Sequence, residues 1–421
     1  MLSIHKVLLA AAFSALTVHD AVAQDATPLK QFYDAAWARQ PEAQAHALRA
    51  EAALAERASA DGWLAGPPAL ELSALSGQGG NGDGRREYGI GVTMPLWLPG
   101  ERDAAGALAE AGLRANDGRL LAAQLRTAAE VRDAYWDWRR ARVELALGRE
   151  RLAGARALAA DVARRVAAGD LARADQHQAD GAQAGAEATL AAAESALAAS
   201  TRQLAALTGA PPADSDDDDD GDDDDGLPAF EADPAARADE EALAAQHPLV
   251  QEARARAEIA SQAARLAGVQ RRANPELGLS TTRERDAAGA DWQQTVTIGL
   301  RFPLGSDARG RARLAAAWAE TAEAEARLRL AQEQVLPAIA TARARANAAR
   351  TQVAAAQRRA RLARASRDFF DHAFRLGETD LPTRLRVGLE ASDAERELAG
   401  ARVELGAAIS TLRQAMGLLP E

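Results

Sequence analysis

The 421-residue sequence contains no cysteine, which excludes disulfide scaffolds, cysteine-ligated zinc, thiol catalysis and an N-terminal cysteine for lipid attachment. Aromatic residues make up only 4%, whereas hydrophobic residues, largely alanine, make up 48%. That composition favours long, thin, closely packed helices over a thick globular core. Lysine occurs only at Lys6 and Lys30, and the arginines are interspersed with acidic residues, so no basic block indicates nucleic acid binding.

A long apolar segment is also missing from the mature chain. Nothing after residue 23 provides the ~20 uncharged apolar residues that a membrane-spanning helix needs. Lys6, the apolar run 7–18 and Ala21-Val22-Ala23 predict a secretory signal peptide over residues 1–23. The alternative is an amphipathic N-terminal helix. If the secreted chain spans a membrane, it therefore does so with strands.

The net charge of -11 comes almost entirely from one segment, because residues 214–225 contain 10 Asp and leave only -1 for the rest. We interpret residues 213–228 as an acidic linker that repulsion keeps solvated. Asp216, Asp218 and Asp220 have the spacing of a calcium loop, but Leu227 stands where that loop needs a glutamate. Weak divalent cation binding is the alternative role for this segment.

Motifs for catalysis or cofactor binding are scarce. The four histidines after the signal peptide form no metal-binding motif, and the sequence has neither a nucleophile elbow nor a P-loop. Residues 77–82 fit G-x-G-x-x-G, but strands flank them on both sides, which indicates a hairpin tip. We therefore expect no enzyme, no cofactor and no firm metal site.

An internal duplication organises the chain. Pro68 matches Pro275 at an offset of 207, while Pro95 matches Pro303 at an offset of 208. Glycines and prolines stay in step over nearly the whole mature chain, which two unrelated alanine-rich helices would not do. The predicted units are a first repeat over 24–212, the acidic linker over 213–228 and a second repeat over 229–421.

Each repeat contains a predicted β-hairpin in which apolar and polar residues alternate with a period of two. The strands are expected at about 68–76 and 87–96, and at about 275–283 and 292–303. The polar faces, which we expect to line a wet lumen, carry Glu71, Ser73, Thr93, Glu276, Thr295 and Thr297. About ten residues with one apolar face suit a transmembrane strand, although a soluble sheet lying on helices gives the same alternation. Four strands cannot close a barrel, so a barrel would require several copies.

The remaining sequence predicts helices. An opening helix is expected at about 33–64 and again at about 238–272, and long helical hairpins at about 101–209 and 306–417. Apolar residues follow heptad spacing along these arms, which indicates coiled-coil packing. They are Val131, Tyr135, Trp138, Leu145, Leu152, Val162 and Val166 in one arm, and Leu398, Leu405, Ile409, Leu412 and Met416 in the other. Reversals are expected at Gly169-Asp170 and Gly377-Glu378, and Pro337 should bend the second arm.

The joint order of these motifs resembles the TolC-like outer membrane efflux protein family over about residues 30–420. The matching motifs are Pro68-Ala-Leu70-Glu-Leu72, Asn274-Pro275-Glu-Leu277, Met94-Pro95-Leu96, Phe302-Pro303-Leu304, Val166-Ala-Ala-Gly169-Asp170-Leu171, Phe374-Arg-Leu-Gly377-Glu378 and Leu204-Ala-Ala-Leu207-Thr208-Gly209. The compact length and the bare second turn look most like the cobalt–zinc–cadmium, or heavy-metal, branch.

This resemblance implies a homotrimer in the outer membrane of a Gram-negative bacterium. A 12-stranded β-barrel would continue as an α-helical coiled-coil tube through the periplasm. Substrate would pass passively from a proton-driven inner-membrane pump of the resistance–nodulation–division class through a periplasmic adaptor (membrane fusion protein). The residues implied in adaptor docking and gating at the helical tips are Gly169, Asp170, Leu171, Asp175, Gly377, Glu378, Asp380, Leu381, Thr383 and Arg386.

The sequence departs from the family at the second tip, since Thr383 and Arg386 occupy positions where relatives often carry acids. This weakens the expectation of an acidic gate ring. Three alternatives stay open. The same duct could carry drugs or secreted proteins, the chain could be a soluble periplasmic coiled-coil scaffold, or the aspartates could mark a calcium-stabilised surface protein.

Overall fold

The structure is a computed structural model that describes residues 28–77, 84–212, 231–234, 240–304 and 307–421. The predicted signal peptide and the acidic linker, with Asp216, Asp218 and Asp220, lie outside the described residues. The central part of the first hairpin tip, residues 78–83, lies outside them as well.

The described chain is mainly helical with one four-stranded sheet, in agreement with the mainly α class predicted from the sequence. Its first half contains α1 (Pro28–Arg39), α2 (Pro41–Ala60), β1 (Ala69–Ser76), β2 (Arg86–Pro95), α3 (Glu101–Ala168) and α4 (Arg173–Thr208). Its second half contains α5 (Glu240–Gln246), α6 (Pro248–Val269), β3 (Glu276–Arg285), β4 (Gln293–Arg301), α7 (Asp307–Leu376) and α8 (Leu381–Ala415).

The opening helix of each half is divided in two, which differs from the single helices predicted over 33–64 and 238–272. The breaks fall at Gln40 and His247, each of which precedes a proline that begins the next helix. A residue before proline is pushed into the extended region, and both have extended ψ values, 136° and 132°. Proline at the first helical position needs no hydrogen-bond partner for its nitrogen, so α2 and α6 start there without cost.

The four strands form one antiparallel sheet in the order β1-β2-β3-β4. Each hairpin pairs its own two strands, and β2 pairs with β3 to join the repeats. This leaves β1 and β4 at the two edges. Every residue of β1 and β4 is exposed, whereas β2 and β3 are mostly half-buried by their neighbours.

Two helices dominate the length of the molecule. At about 1.5 Å per residue, α3 with 68 residues and α7 with 70 residues each extend roughly 100 Å. α4 packs antiparallel along α3, α8 packs along α7, and α6 lies between α3 and α7. α7 continues as helix through Pro337.

Among the described residues, the hydrophobic core divides into four clusters along these helices. The first gathers α1 with the middle of α3 around Tyr135 and Trp138. The second lies among α6, α7 and α8 around Ile339. The third joins the two helical turns, and the fourth lies between α7 and α8 around Leu398. Alanine fills much of each cluster, so the helices approach one another closely.

Candidate functional site

The antiparallel register collects the six predicted lumen residues on one face of the sheet. Residues directly opposite in adjacent strands point to the same side, and alternate residues of one strand share a side. Glu71 is opposite Gly91, which is opposite Ser280, and Ser280 is opposite Thr297. By the same register this polar face carries Glu71, Ser73, Glu87, Thr93, Glu276, Ser280, Thr282, Glu284, Gln293, Thr295, Thr297 and Arg301. Period-two alternation in the sequence also assigns Ser280, Gln293 and Arg301 to the polar faces. Sequence reasoning missed Glu87, Thr282 and Glu284, which the same alternation would have identified.

Charges on the polar face are mostly negative. Its strands carry four carboxylates, those of Glu71, Glu87, Glu276 and Glu284, and one guanidinium, that of Arg301. Arg301 lies 3.6 Å from the Glu276 carboxylate. Arg85, just before β2, lies 3.8 Å from both Glu87 and Glu284. The face therefore keeps a net negative charge even when Arg85 is counted.

The opposite face of the sheet is apolar and faces outward. Leu72 is 73% exposed, Ile298 75% and Val296 65%. The apolar residues of this face are Leu70, Leu72, Ala74, Ile90, Val92, Met94, Leu277, Leu279, Val296, Ile298 and Leu300. Thr281 and Gln294, joined by a 3.1 Å hydrogen bond, lie on it as well. Soluble monomers rarely expose a contiguous apolar surface of this kind, so another phase or another molecule is expected to cover it.

An aromatic and arginine cluster ends the apolar face near the hairpin tips. The rings of Tyr88 and Trp292 lie 5.8 Å apart. The guanidinium groups of Arg283 and Arg285 each lie 5.2 Å from the Trp292 ring. Aromatic rings with arginines beside an apolar band are typical of a membrane–water interface, where one end of the side chain is apolar and the other is wet.

A buried carboxylate joins the sheet to the helices. Glu101, at the start of α3, is 1% exposed. Its oxygens accept hydrogen bonds from the Leu98 N–H at 2.8 Å, from Asn274 Nδ2 at 2.6 Å and from Gln270 Nε2 at 2.6 Å. Asn274 Nδ2 also donates to the Leu96 carbonyl at 3.0 Å. The segment between α6 and β3 in the second repeat is thereby fixed to the start of α3 in the first, a connection that sequence reasoning missed.

The two helical turns have the same backbone geometry. Gly169 ends α3 at φ 87° and Gly377 ends α7 at φ 79°, both in the left-handed region that favours glycine. The Asp170 N–H donates to the Arg165 carbonyl and the Glu378 N–H to the Ala373 carbonyl, each at 2.9 Å. Both turns are Schellman motifs, as the glycines at these positions predict.

Two of the acidic residues predicted at the tips cap the returning helices. Asp175 accepts a hydrogen bond from the Ala172 N–H at 3.0 Å, at the start of α4. Asp380 accepts one from the Thr383 N–H at 2.9 Å, at the start of α8. Hydrogen bonds from the Thr383 side chain and backbone lower the pKa of Asp380. Both carboxylates therefore have a structural role in addition to any role at a gate.

The tips themselves meet in one cluster that contains residues from all four long helices. Phe374 on α7 and Leu381 on α8 are buried together with Val162 on α3. The guanidinium groups of Arg165 and Arg384 each lie 4.9 Å from the Phe374 ring. Phe374 was identified only as part of the motif before the second turn. Sequence reasoning missed its burial between Arg165 and Arg384, because nothing in the heptad pattern indicates contact between the two repeats there.

The other predicted tip residues are split between surface and interior. Leu381 is 1% exposed, and Leu171 packs partly buried against the same cluster. Asp170, Gly377 and Glu378 are exposed. Arg386 pairs with Glu390 on the next turn of α8 at 2.8 Å. The exposed turn residues are thus the part of the tip that another molecule can contact.

Among the described residues, no group of three His, Asp or Glu side chains is placed to hold a metal ion. Within the same ranges, no helix combines the length and the apolar character needed to cross a membrane.

Comparison with known proteins gives a family model that matches part of the chain and several solved structures that share its fold. A family model described as "Outer membrane efflux protein" matches residues 32–210. No curated protein sequence matches the chain significantly.

Several solved structures share the fold. The outer membrane protein VceC from Vibrio cholerae has 19% identity, covers 93% of this chain and 97% of its own, and gives a TM-score of 0.72. CusC has 16% identity, covers 93% and 92%, and gives a TM-score of 0.73. The outer membrane channel MtrE from Neisseria gonorrhoeae, in its open state, has 17% identity, covers 93% and 89%, and gives a TM-score of 0.73. The chain therefore has the fold of outer membrane channel proteins over nearly its full length.

Proposed function

We propose that the chain is an outer membrane efflux channel and the exit duct of a tripartite efflux system. Three copies would each contribute four strands to one 12-stranded barrel, and their long helices would form a tube through the periplasm. The carrying observation is the two-faced sheet, with a polar face opposite an exposed apolar face, joined directly to helices of about 100 Å. The match over residues 32–210 and the shared fold support this function.

The apolar face favours a membrane channel over a soluble scaffold. A scaffold would leave residues such as Leu72 and Ile298, 73% and 75% exposed, in water. In a lipid bilayer the same residues face hydrocarbon, and the cluster around Trp292 lies at the bilayer surface. The polar face then lines the lumen, with Glu71, Ser73, Thr93, Glu276, Thr295 and Thr297 among its residues.

Fractionation followed by detergent extraction and native mass measurement tests this proposal. We expect the protein in the outer membrane fraction and a mass of three chains after extraction. A soluble periplasmic product that is stable without detergent would refute the channel.

We further propose that the cargo is a cation, with heavy-metal ions as the first candidates. The polar face carries four carboxylates in its strands, opposed by Arg301 and by Arg85 beside them. Three copies would enclose twelve carboxylates and six guanidinium groups, and a negative lumen concentrates cations. A deletion strain that loses resistance to metal ions but keeps resistance to dyes would support this cargo. The reverse result would assign drugs to the duct instead.

The exposed turns of the helical tips are proposed to bind a periplasmic adaptor, which connects the duct to an inner-membrane pump. Asp170 and Glu378 are exposed at the far ends of α3 and α7. Asp170→Arg combined with Glu378→Arg should abolish export while the trimer still forms. Glu333→Arg, at an exposed position on the side of α7, is the matched control and should preserve export. Normal export by the double variant would refute docking at the tips.

A further inference from the structure

Three arginines lie together on the apolar face of the sheet, at the end nearest the hairpin tips. Arg86, the first residue of β2, is directly opposite Arg285, the last residue of β3, and Tyr88 is directly opposite Arg283. Opposite residues and residues two apart in a strand share a face, so the three arginines are on the side that carries Ile90. The apolar face therefore ends in three positive charges.

Among the described residues, none of these three guanidinium groups forms an ion pair with a carboxylate. Glu87 and Glu284 belong to the polar face, where Arg85 lies 3.8 Å from both of them. Asp286 and Asp291, in the turn between β3 and β4, are exposed and do not pair with the three arginines. The positive charge at this end of the apolar face is thus not neutralised by the described part of the chain.

The pairing of Arg86 with Arg285 is unfavourable for the isolated chain. Like charges directly opposite each other in an antiparallel pair repel, since their Cβ atoms lie only about 5 Å apart. The Trp292 ring, 5.2 Å from the guanidinium groups of Arg283 and Arg285, attracts both of them but carries no net charge. Stacking on a ring leaves the N–H groups at the guanidinium edge available, and Arg285 Nε has no hydrogen-bond partner among the described residues. An external anion would relieve the repulsion and accept hydrogen bonds.

Away from the tips, the same face changes from charged to polar and then to apolar. Arg283 is opposite Gln294, whose Nε2 donates to the Thr281 hydroxyl at 3.1 Å. One step further, Leu279 is opposite Ile298, which is 75% exposed. At about 3.4 Å per residue, the step from Arg283 to Leu279 covers about 14 Å along the strand. A membrane lipid has the same order of chemistry, from phosphate through polar linking groups to hydrocarbon chains.

We propose that Arg86, Arg283 and Arg285 bind the phosphate of an anionic lipid headgroup, an inference that rests on the proposed membrane channel. The hydrocarbon chains of the lipid lie along the apolar face, and the Trp292 ring packs beside the headgroup. Guanidinium groups suit this site because their planar fork donates two parallel N–H bonds to a phosphate. The occupant is a lipid because one molecule then contacts both the arginines and the apolar residues next to them, whereas a free phosphate contacts the arginines alone.

Lipid titration of the protein in a neutral detergent tests the site by native mass spectrometry. Phosphatidylglycerol has a net negative charge, whereas phosphatidylcholine has the same phosphate and no net charge. We expect clearly more bound phosphatidylglycerol than phosphatidylcholine, and no competition from inorganic phosphate at the same concentration. Equal binding of the two lipids would overturn the anion site. Full competition by inorganic phosphate would overturn the lipid as its occupant.

Arg86→Gln combined with Arg283→Gln and Arg285→Gln is the variant that removes the site. It should bind phosphatidylglycerol at least about tenfold more weakly, as expected for the loss of charge-assisted hydrogen bonds. The lipid should also raise the melting temperature of the unaltered protein and not that of the variant. Arg85→Gln removes the neighbouring charge on the polar face and should keep the full binding.

A second control separates the site from a general loss of positive charge. Arg202→Gln combined with Arg358→Gln and Arg361→Gln removes three charges at exposed positions on α4 and α7, and it should bind the lipid normally. Equal binding by the two triple variants, both trimers by native mass, would overturn the lipid site and leave the channel proposal intact. A monomer that is soluble without detergent would refute the channel itself.

Discussion

The guanidinium of Arg132 on α3 donates to both carboxylate oxygens of Glu231, at 2.6 and 3.0 Å, and the two side chains are 3% and 0% exposed. Arg413 on α8 lies 3.3 Å from the same carboxylate and donates to the Ala232 carbonyl at 2.9 Å. The short segment 231–234, which follows the acidic linker, is thereby fixed to helices of both repeats.

Removing the charge of Glu231 should therefore destabilise the protein strongly. Glu231→Gln leaves the buried Arg132 guanidinium without its counter-ion and removes one of the two carboxylates beside Arg413, which also pairs with the exposed Glu421 at 2.8 Å. Breaking a buried ion pair in this way costs on the order of 3–5 kcal/mol. Asp233→Asn is the matched control, because Asp233 is exposed in its contact with Arg350. Urea unfolding of the detergent-purified protein measures both, and equal losses would show that the buried network does not stabilise the fold.

Tyr33→Phe should preserve or raise stability. The Tyr33 side chain is 5% exposed, and its hydroxyl has no hydrogen-bond partner among the described residues. Burial, with a smaller effect of Asp34, raises the pKa of Tyr33 to about 12, so the hydroxyl stays neutral. An unpaired buried hydroxyl costs about 1–3 kcal/mol, which phenylalanine would recover.

Ser410→Ala should lower the free energy of unfolding, which urea unfolding measures for this variant and for Tyr33→Phe. It removes the acceptor of the 2.9 Å bond from Trp136 Nε1 and leaves that donor buried, so stability should fall. A loss of stability in Tyr33→Phe comparable to that in Ser410→Ala would contradict the assignment of an unpaired hydroxyl.

Stability should fall in mild acid through His247. This residue is the N-cap of α6, is 4% exposed, and accepts the Leu249 N–H with Nδ1 at 3.3 Å. Burial lowers the pKa of His247, against a smaller opposing effect of a hydrogen bond to the Gln414 backbone. The unfolded chain therefore takes up a proton near pH 6.5, before the folded chain does.

The stabilising contribution is thus complete above the ordinary histidine pKa of 6.5 and is lost as the pH falls through the lowered folded pKa. His247→Asn keeps a side-chain acceptor at the helix start and should reduce the loss of unfolding temperature between about pH 7.5 and pH 5.5. His177→Asn, at an exposed position, is the control and should keep the full loss. Equal pH dependence in both variants would exclude His247 as its source.

Phe374→Ala should loosen the helical tips and leave the sheet intact. Phe374 is 2% exposed and fills the cluster that joins the two turns. Truncating a buried phenylalanine costs about 3–5 kcal/mol of stability. Because Phe374 contacts only the cluster at the two turns, the change should destabilise that end of the helices and not the sheet. Hydrogen exchange should rise around residues 162–171 and 374–381 and stay unchanged in the strands. Phe369→Ala, where the ring is 68% exposed, should change neither region.

Local periodicity was sufficient to predict most of the secondary structure. A period of two assigned the faces of all four strands, because strand side chains alternate strictly. Heptad residues such as Val131, Tyr135 and Leu412 were predicted at helix contacts and are buried. The helix breaks before Pro41 and Pro248 were missed, although proline after an extended residue is a readable signal.

Contacts between distant parts of the chain were beyond sequence reasoning. Arg132 and Glu231 are 99 residues apart, and neither belongs to a motif. In the sequence, nothing distinguishes Glu101 from the other acidic residues. Only the fold brings Asn274 and Gln270 within hydrogen-bond distance of its carboxylate. Such pairs depend on how whole helices lie against each other, which single-sequence patterns do not encode.

The division of the described buried residues into four clusters along α3 and α7 affects how the molecule unfolds. A rod without a single centre loses structure piecewise, because each cluster stabilises only the helical turns near it. Fraying at the turns of Gly169 and Gly377 then requires only the disruption of the cluster around Phe374, while the middle and the sheet stay folded. The end of the rod can thus rearrange at a fraction of the free energy of global unfolding.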